Sequence, residues 1–336
     1  VATAPGAGLK MLGISVALCT RNGARFVAAQ VRSICTQDRL PHQIVLSDDG
    51  STDDTIAIVR DTLAACGVAE RVELVVLQNS PALGVTRNFE QAVRACTHEL
   101  IALSDQDDVW HPGRLARMAA RFEAESELLL LHTDARLVDA ELVPLGHSLF
   151  HALEVRPAEL AAIADGNAFD VLLRRNLVTG ATTMFRKSLL ASALPFPEDW
   201  VHDEWLGAMA AATGRVDVLA EPLIDYRQHA SNQIGARRPT LSEKIRKAFA
   251  ERGDKHWARL RRAEALLNRL NSLGAKVQSK YLEAQRAKVA HQRFRAELPR
   301  SRLVRLGPVM LEVARGRYDR FGRGWHAVAQ DLLERG

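Results

Sequence analysis

The opening hundred residues switch repeatedly between two hydrophobic patterns, and that alternation constrains the fold more than any other feature. Ile14-Ser15-Val16-Ala17-Leu18 is a short apolar run of strand length, and Ala24 to Thr36 carries a helical pattern. Gln43-Ile44-Val45-Leu46 predicts a second strand that ends at Ser47-Asp48-Asp49-Gly50. The helix after it is expected to open on Ser51-Thr52-Asp53-Asp54, a start similar to a capping box. Val72 to Leu77 predicts a third strand, Gly84 to Cys96 a third helix and Leu100 to Ser104 a fourth strand. Repeated βαβ units imply an α/β fold with a mostly parallel sheet flanked by helices. Such sheets bind ligands beyond the carboxyl ends of their strands. Thr20-Arg21-Asn22, Asp48-Asp49 and Asp105 to Asp108 all fall at those ends.

The last cluster, Ser104-Asp105-Gln106-Asp107-Asp108-Val109-Trp110, carries the chemistry. Carboxylates crowded at a strand end repel one another. A hard divalent cation such as Mg²⁺ or Mn²⁺ removes that cost; a solvated acidic turn is the plainer alternative. Neither Gly-x-Gly-x-x-Gly after the first strand nor a phosphate-cradling Gly-x-x-x-x-Gly-Lys is present. A nucleotide held here therefore needs its phosphates neutralised by other means, and a metal on the acidic turn supplies them.

Charge divides the chain. Residues 1–235 hold 20 Lys and Arg against 30 Asp and Glu, whereas residues 236–336 hold 25 against 10. Four regions are expected: a flexible leader (1–11), the first half of the α/β domain (12–125), its second half (126–235) and a basic helical C-terminal region (236–336), with a linker near Gly235-Ala236-Arg237-Arg238-Pro239. In the middle region Leu128 to His132 and Asp217 to Leu223 read as strands, Asn176 to Phe185 as a loop feeding a strand, and Trp200 to Leu206 as the entry to an Ala-rich helix. The tail reads as helical from Leu241, with Leu260, Ala263, Leu266, Leu267 and Leu270 at helical spacing. That stripe suits a helix packed on its own domain; an Arg-rich surface lying on an anionic leaflet is the alternative, with Leu303 to Met310 and Phe321 to Trp325 at the interface. Cys19, Cys35, Cys66 and Cys96 lack metal-site spacing and read as reduced packing thiols. No apolar run approaches the ~20 residues that span a bilayer, so a cytoplasmic protein, or one peripheral on the inner face of the membrane, is expected.

Ile14 to Asn22, Asp48-Asp49-Gly50-Ser51, Ser104 to Trp110 and His202-Asp203, in that order, resemble the family 2 glycosyltransferases of GT-A fold. Ser-Asp-Gln-Asp-Asp-x-Trp and Asp225-Tyr226-Arg227-Gln228-His229 look like a bacterial rhamnosyltransferase-like branch. The resemblance covers about residues 12–235. It implies an inverting enzyme that uses Mg²⁺ or Mn²⁺ and a nucleotide-sugar donor, dTDP-L-rhamnose by branch, with a cell-surface glycan or lipid-linked acceptor. It assigns Asp107 and Asp105 to the metal, with Asp105 also reaching the ribose, and His229 as an added metal or diphosphate contact, with Arg227 as the rival for that contact. Asp49 is implied at the base N3–H, with Asp48 the weaker candidate. Thr20, Arg21 and Asn22 are implied around the base, although many members carry Tyr where this chain has Arg21. Arg87 is implied at the donor, and Asp108 only at the turn. Asp203 matches the family's general base, with His202 in place of the usual Glu and Glu204 as rival; Thr179 and Gly180 line the acceptor side.

Two other classes compete. The basic tail invites a polyanion- or nucleic-acid-binding reading, but it lacks a recognition signature, and no specific nucleic-acid partner is expected. Metal-dependent nucleotidyl or phosphoryl transfer shares the carboxylates but lacks a phosphate loop.

Overall fold

The structure is a computed structural model that describes residues 11–229 and 252–335. The expected leader over 1–11, apart from Met11, lies outside the described residues. So do the linker near 235–239 and the start of the tail helix at Leu241.

The chain forms two compact units, one of residues 1–149, 179–194 and 218–232, the other of 150–178, 195–217 and 233–336. Both units draw on the span 126–235.

The first unit is built on a sheet. Strands β1 (Ile14–Thr20), β2 (Gln43–Asp48), β3 (Glu73–Gln78) and β4 (Leu100–Ser104) alternate with helices α1 (Val27–Cys35), α2 (Thr55–Ala65) and α3 (Val85–Ala95). After them come β5 (Val109–Trp110), α4 (Arg114–Ala124), β6 (Leu128–Val138), β7 (Pro144–Ser148), the short α5 (Leu149–Ala152) that opens the second unit, and then α6 (Pro157–Ala164) and α7 (Ala168–Arg174). Next are β8 (Thr183–Arg186), α8 (Leu190–Ala193), α9 (His202–Thr213) and β9 (Arg215–Arg227). The sheet order is β3-β2-β1-β4-β8-β6-β9-β5, with β7 on β6.

β1, β2, β3 and β4 pair in parallel. β8 runs antiparallel to β4 and β6, and β5 antiparallel to β9. Every residue of β1, β2 and β4 is buried, as unbroken apolar runs covered on both faces should be. Helix α3 buries Phe89, Ala92 and Val93 and turns Arg87 and Arg94 outward.

Four elements differ from expectation. α2 starts at Thr55 without a Ser51 capping box, because the Ser51 hydroxyl is spent on Asp48 and Asp53 instead accepts the Thr55 amide at 3.2 Å. α1 starts at Val27, since residues 21–26 form a turn. β6 and β9 run on past their predicted ends, to Val138 and Arg227. The four cysteines are free, and burial pushes the Cys35 and Cys96 thiols up to about 12.

The second unit is helical. Besides α6, α7 and α9 it contains α10 (Lys255–Leu273), α11 (Ser279–Ala296), α12 (Arg302–Ala314), α13 (Arg317–Phe321) and α14 (Trp325–Leu333). The stripe Leu260, Ala263, Leu266 and Leu270 is buried, and Leu260 and Ala263 cluster with Val289 of α11. That face of α10 is a packing face. No described helix is long and apolar enough to cross a membrane.

Candidate active site

Each parallel strand ends in a polar turn, and hydrogen bonds between turns make one rim. At the end of β1 the Thr20 hydroxyl donates to Asp48 at 2.8 Å. Asp48 is fully buried and also accepts the Ser51 amide at 2.8 Å and the Ser51 hydroxyl at 2.5 Å. It closes the Ser47–Ser51 turn. Its neighbour Asp49 accepts the amides of Leu83 at 2.6 Å and Gly84 at 2.9 Å, and the Asn79 side chain at 3.3 Å. Arg21 stands 4.0 Å from the same carboxylate. Gly84 has φ +84°, a region Cβ-bearing residues rarely adopt, and it leads directly into α3. Asp49 therefore holds the helix entry, where a negative charge also complements the helix dipole.

Asn22, at φ 48°, donates its backbone N–H to the Ser51 hydroxyl oxygen (2.7 Å) while its side-chain oxygen accepts the Thr52 amide (2.9 Å). Gln106 binds the Arg21 backbone in both directions, accepting its N–H at 2.8 Å and donating to its carbonyl at 3.1 Å. A Cβ on Gly23 would sit 2.3 Å from the Gln106 Oε1, so a glycine is required there. Arg87 lies on the exposed side of α3, 3.2 Å from Glu90.

The acidic turn is joined to the end of β9. Asp107 meets the His229 Nε2 at 2.8 Å, and its carbonyl accepts the Arg227 guanidinium at 2.6 Å. Asp108 is buried and accepts the Arg227 amide at 3.1 Å through one oxygen; the other has no hydrogen-bond partner among the described residues. Burial, then the charges of Asp107 and Asp105, hold the Asp108 carboxyl well above the usual carboxylate range. The fully buried Arg114 opposes this; its guanidinium lies 3.9 Å from the Trp110 ring, and burial pushes its pKa down to about 9. Phe26 stacks on His229 at 4.7 Å and carries Arg227 over its ring at 4.7 Å.

The residue types fit a hard divalent cation: the carboxylates of Asp105 and Asp107, the His229 imidazole, and the orphaned oxygen of the buried Asp108. Among the described residues His256, Asp331 and Glu334 also lie close enough together to hold a metal ion, but that group is spent on cations instead. Arg295 grips Asp331 at 2.6 and 3.0 Å, and Lys255 reaches Glu334 at 2.6 Å.

The remaining expected site residues fall as follows. The Thr179 carbonyl accepts the Thr182 amide at 3.0 Å and both following threonine hydroxyls, and Gly180 is buried beside it, opening the turn into β8. In the second unit His202, Asp203 and Glu204 form the first turn of α9. His202 is buried, and burial alone pushes its pKa down to about 3, so it is neutral. Asp203 accepts the Glu204 amide at 2.6 Å, whereas the Glu204 carboxylate is ion-paired to Arg262. Sequence reading missed Phe26, Arg114 and the bridging role of Gln106. Only the position of Gln106 inside the acidic motif hinted at its importance.

Residues 15–170 match the family model described as Glycosyl transferase family 2. The chain is 25% identical over 242 residues to an uncharacterized glycosyltransferase of Nostoc sp., covering 70% of this chain and 71% of that one. It spans 51% of the length of other curated relatives that it matches. Among solved structures it is similar to S. aureus TarS 1-349 in complex with UDP-GlcNAc (TM-score 0.57, 18% identity, 84% of this chain and 72% of that one). It is also similar to mannosyltransferase PcManGT from Pyrobaculum calidifontis in complex with GDP-Man and Mn²⁺ (TM-score 0.51, 18% identity, 96% and 85%). The sheet, the acidic turn at its rim and these likenesses agree: residues 15–170 match the family 2 glycosyltransferase model, and the fold is similar to that of GT-A glycosyltransferases.

Proposed function

We propose that the protein is an inverting, metal-dependent glycosyltransferase that moves a hexose, L-rhamnose from dTDP-L-rhamnose, onto a cell-surface glycan or a lipid-linked acceptor. The observation that carries the reading is the acidic turn Asp105–Asp108 at the carboxyl edge of the sheet, with Asp107 meeting His229 at 2.8 Å. A bound Mg²⁺ or Mn²⁺ would neutralise the diphosphate leaving group as a Lewis acid. Asp107, Asp105 and His229 would hold it. Asp108 and Arg114 keep the turn in shape from beneath.

Around the donor base, the Arg21 loop is fixed by Gln106 and by the Asn22–Ser51–Thr52 bonds, so its backbone is set before ligand arrives. The Arg21 guanidinium is free to stack on a ring, which suits a position where relatives of this type use an aromatic residue. Asp49 serves the loop first and the base second, because its oxygens already accept two backbone amides.

Proton removal from the acceptor hydroxyl falls to Asp203. A positioned carboxylate can take the proton of the attacking hydroxyl in the transition state. Glu204 is the poorer candidate, since it is ion-paired to Arg262.

Membrane attachment belongs to the same proposal. α12 exposes Leu303, Val304, Leu306 and Met310, and Trp325 at the start of α14 is 68% exposed. Exposed apolar side chains among arginines suit the interface of an anionic leaflet.

Incubating the protein with a panel of nucleotide-sugars, including dTDP-L-rhamnose, UDP-GlcNAc and GDP-Man, tests the reading. Metal-dependent release of nucleoside diphosphate is expected, and pyrophosphate as product would point to nucleotidyl transfer instead. Asp203→Asn should bind donor normally and lose about 10²–10⁴-fold in transfer; wild-type turnover in that variant refutes the base assignment.

A further inference from the structure

The helical unit carries a cleft of about 280 Å³, open on one side, that the donor chemistry does not use. Its wall is strongly cationic. Arg174, Arg259, Arg262, Lys288 and Arg323 line it, and Glu204 is the single carboxylate among the described lining residues.

Part of this charge is already balanced. Arg262 pairs with Glu204, and the nearby Arg175 and Arg295 pair with Glu159 and Asp331. The rest is balanced less directly. Among the described residues Arg174 donates to the Gly322 carbonyl at 3.1 Å and Lys288 to the Leu173 carbonyl at 2.6 Å. The side chains of Arg259 and Arg323 make no hydrogen bond to another described residue. Glu204 acts on Lys288, and Asp331 and Glu334 act on Arg259, without a direct bond, and like charges sharing one wall repel. Burial, opposed by Glu204, pushes the Lys288 pKa down to about 8.

A second observation points to a ligand. Gln292 is 4% exposed, lines the cavity and makes no side-chain hydrogen bond with a described residue. Gln285, fully buried in the same wall, donates to the Ala263 carbonyl at 2.7 Å but leaves its own oxygen unpartnered. Buried polar groups are normally satisfied. The Gln292 amide can turn its N–H₂ to a ligand oxygen, whereas the orphaned Gln285 oxygen can only accept a hydrogen bond and takes no part in holding an anion.

We propose that this cavity is an anion site for a diphosphate group, separate from the donor site and independent of the donor reading. Guanidinium forks match phosphoryl oxygens two at a time, which favours phosphate over a single small anion. Free diphosphate and a lipid-borne diphosphate share this chemistry.

The test is isothermal titration of the full chain with inorganic diphosphate in EDTA at low salt. EDTA keeps the acidic turn free of divalent ions, so the result does not depend on the donor site working. Binding is expected, and it should weaken about ten-fold or more in Arg259→Gln/Arg323→Gln, whose exposed side chains leave folding intact. Lys288→Gln should weaken it independently. In a parallel arm, phosphatidylcholine vesicles carrying a prenyl diphosphate are sedimented with the protein. Loss of co-sedimentation in the double variant assigns the ligand to a lipid headgroup. Loss of soluble diphosphate binding alone assigns it to a free anion. No binding by the folded wild type, or equal affinity in the double variant with a native circular dichroism spectrum, overturns the proposal.

Discussion

Asp49→Asn separates the two jobs open to this carboxylate. The side chain is 4% exposed and accepts the Leu83 amide at 2.6 Å through one oxygen and the Gly84 amide at 2.9 Å through the other. Hydrogen bonds to a charged partner are worth about 1.5–3 kcal/mol each. Asparagine keeps the shape but turns one acceptor into a donor. One backbone amide then faces an N–H₂ group, and the other keeps its bond without the charge. The expected loss is about 2–3 kcal/mol, which for a unit of this size lowers the melting temperature by about 4–12 °C. Urea denaturation measures it as a fall in midpoint at unchanged slope. Donor affinity, followed in parallel, should fall less than stability does, because the base contact is the secondary role. A stability loss below about 0.5 kcal/mol, with donor binding abolished, would show that Asp49 reads the base and does not hold the entry to α3.

His202 supplies a pH prediction. Its folded pKa of about 3 lies below the unfolded value of ~6.5, so the unfolded chain binds the extra proton. Stability from this group is complete above pH ~6.5 and falls by about 1.4 kcal/mol per pH unit down to about pH 3. His202→Phe should flatten the acid limb of an unfolding curve followed by circular dichroism, and an unchanged limb counts against a buried neutral imidazole. The exposed face of α12 supplies another. Leu303→Glu/Leu306→Glu removes two side chains that are 90% and 55% exposed, so folding stability should move by less than about 0.5 kcal/mol. Sedimentation with anionic vesicles should fall several-fold, and equal partitioning of both proteins rejects the membrane face.

The parallel half of the sheet was legible because its strands are buried on both faces and therefore read as uninterrupted apolar runs. Ile14 to Leu18 and Leu100 to Ser104 show this directly. The polar rim was legible for the same reason: charged residues at the ends of such strands have few structural uses. The start of α2 was misread because Ser51, a good capping residue by type, has its hydroxyl taken by Asp48 across a tight turn. That competition is invisible in a linear pattern. Phe26 and Arg114 were missed because an aromatic on a turn and an arginine opening a helix are ordinary in sequence. Only the fold shows Phe26 stacked on His229 and Arg114 stacked on Trp110. The apolar stripe of α10 was visible, but which surface it covers depended on α11, whose own apolar positions are irregular.

Gln106 carries a consequence for attempts to retarget the enzyme. It stands between two metal-side aspartates, yet both ends of its amide are tied to the Arg21 backbone, and its oxygen fills the space a side chain at position 23 would need. The Arg21 loop and the acidic turn therefore share a hinge pin. Swapping the 20–23 loop for that of a relative with different nucleotide preference would loosen the carboxylates unless position 106 were exchanged with it, so positions 21, 23 and 106 form the smallest cassette that can be transplanted together.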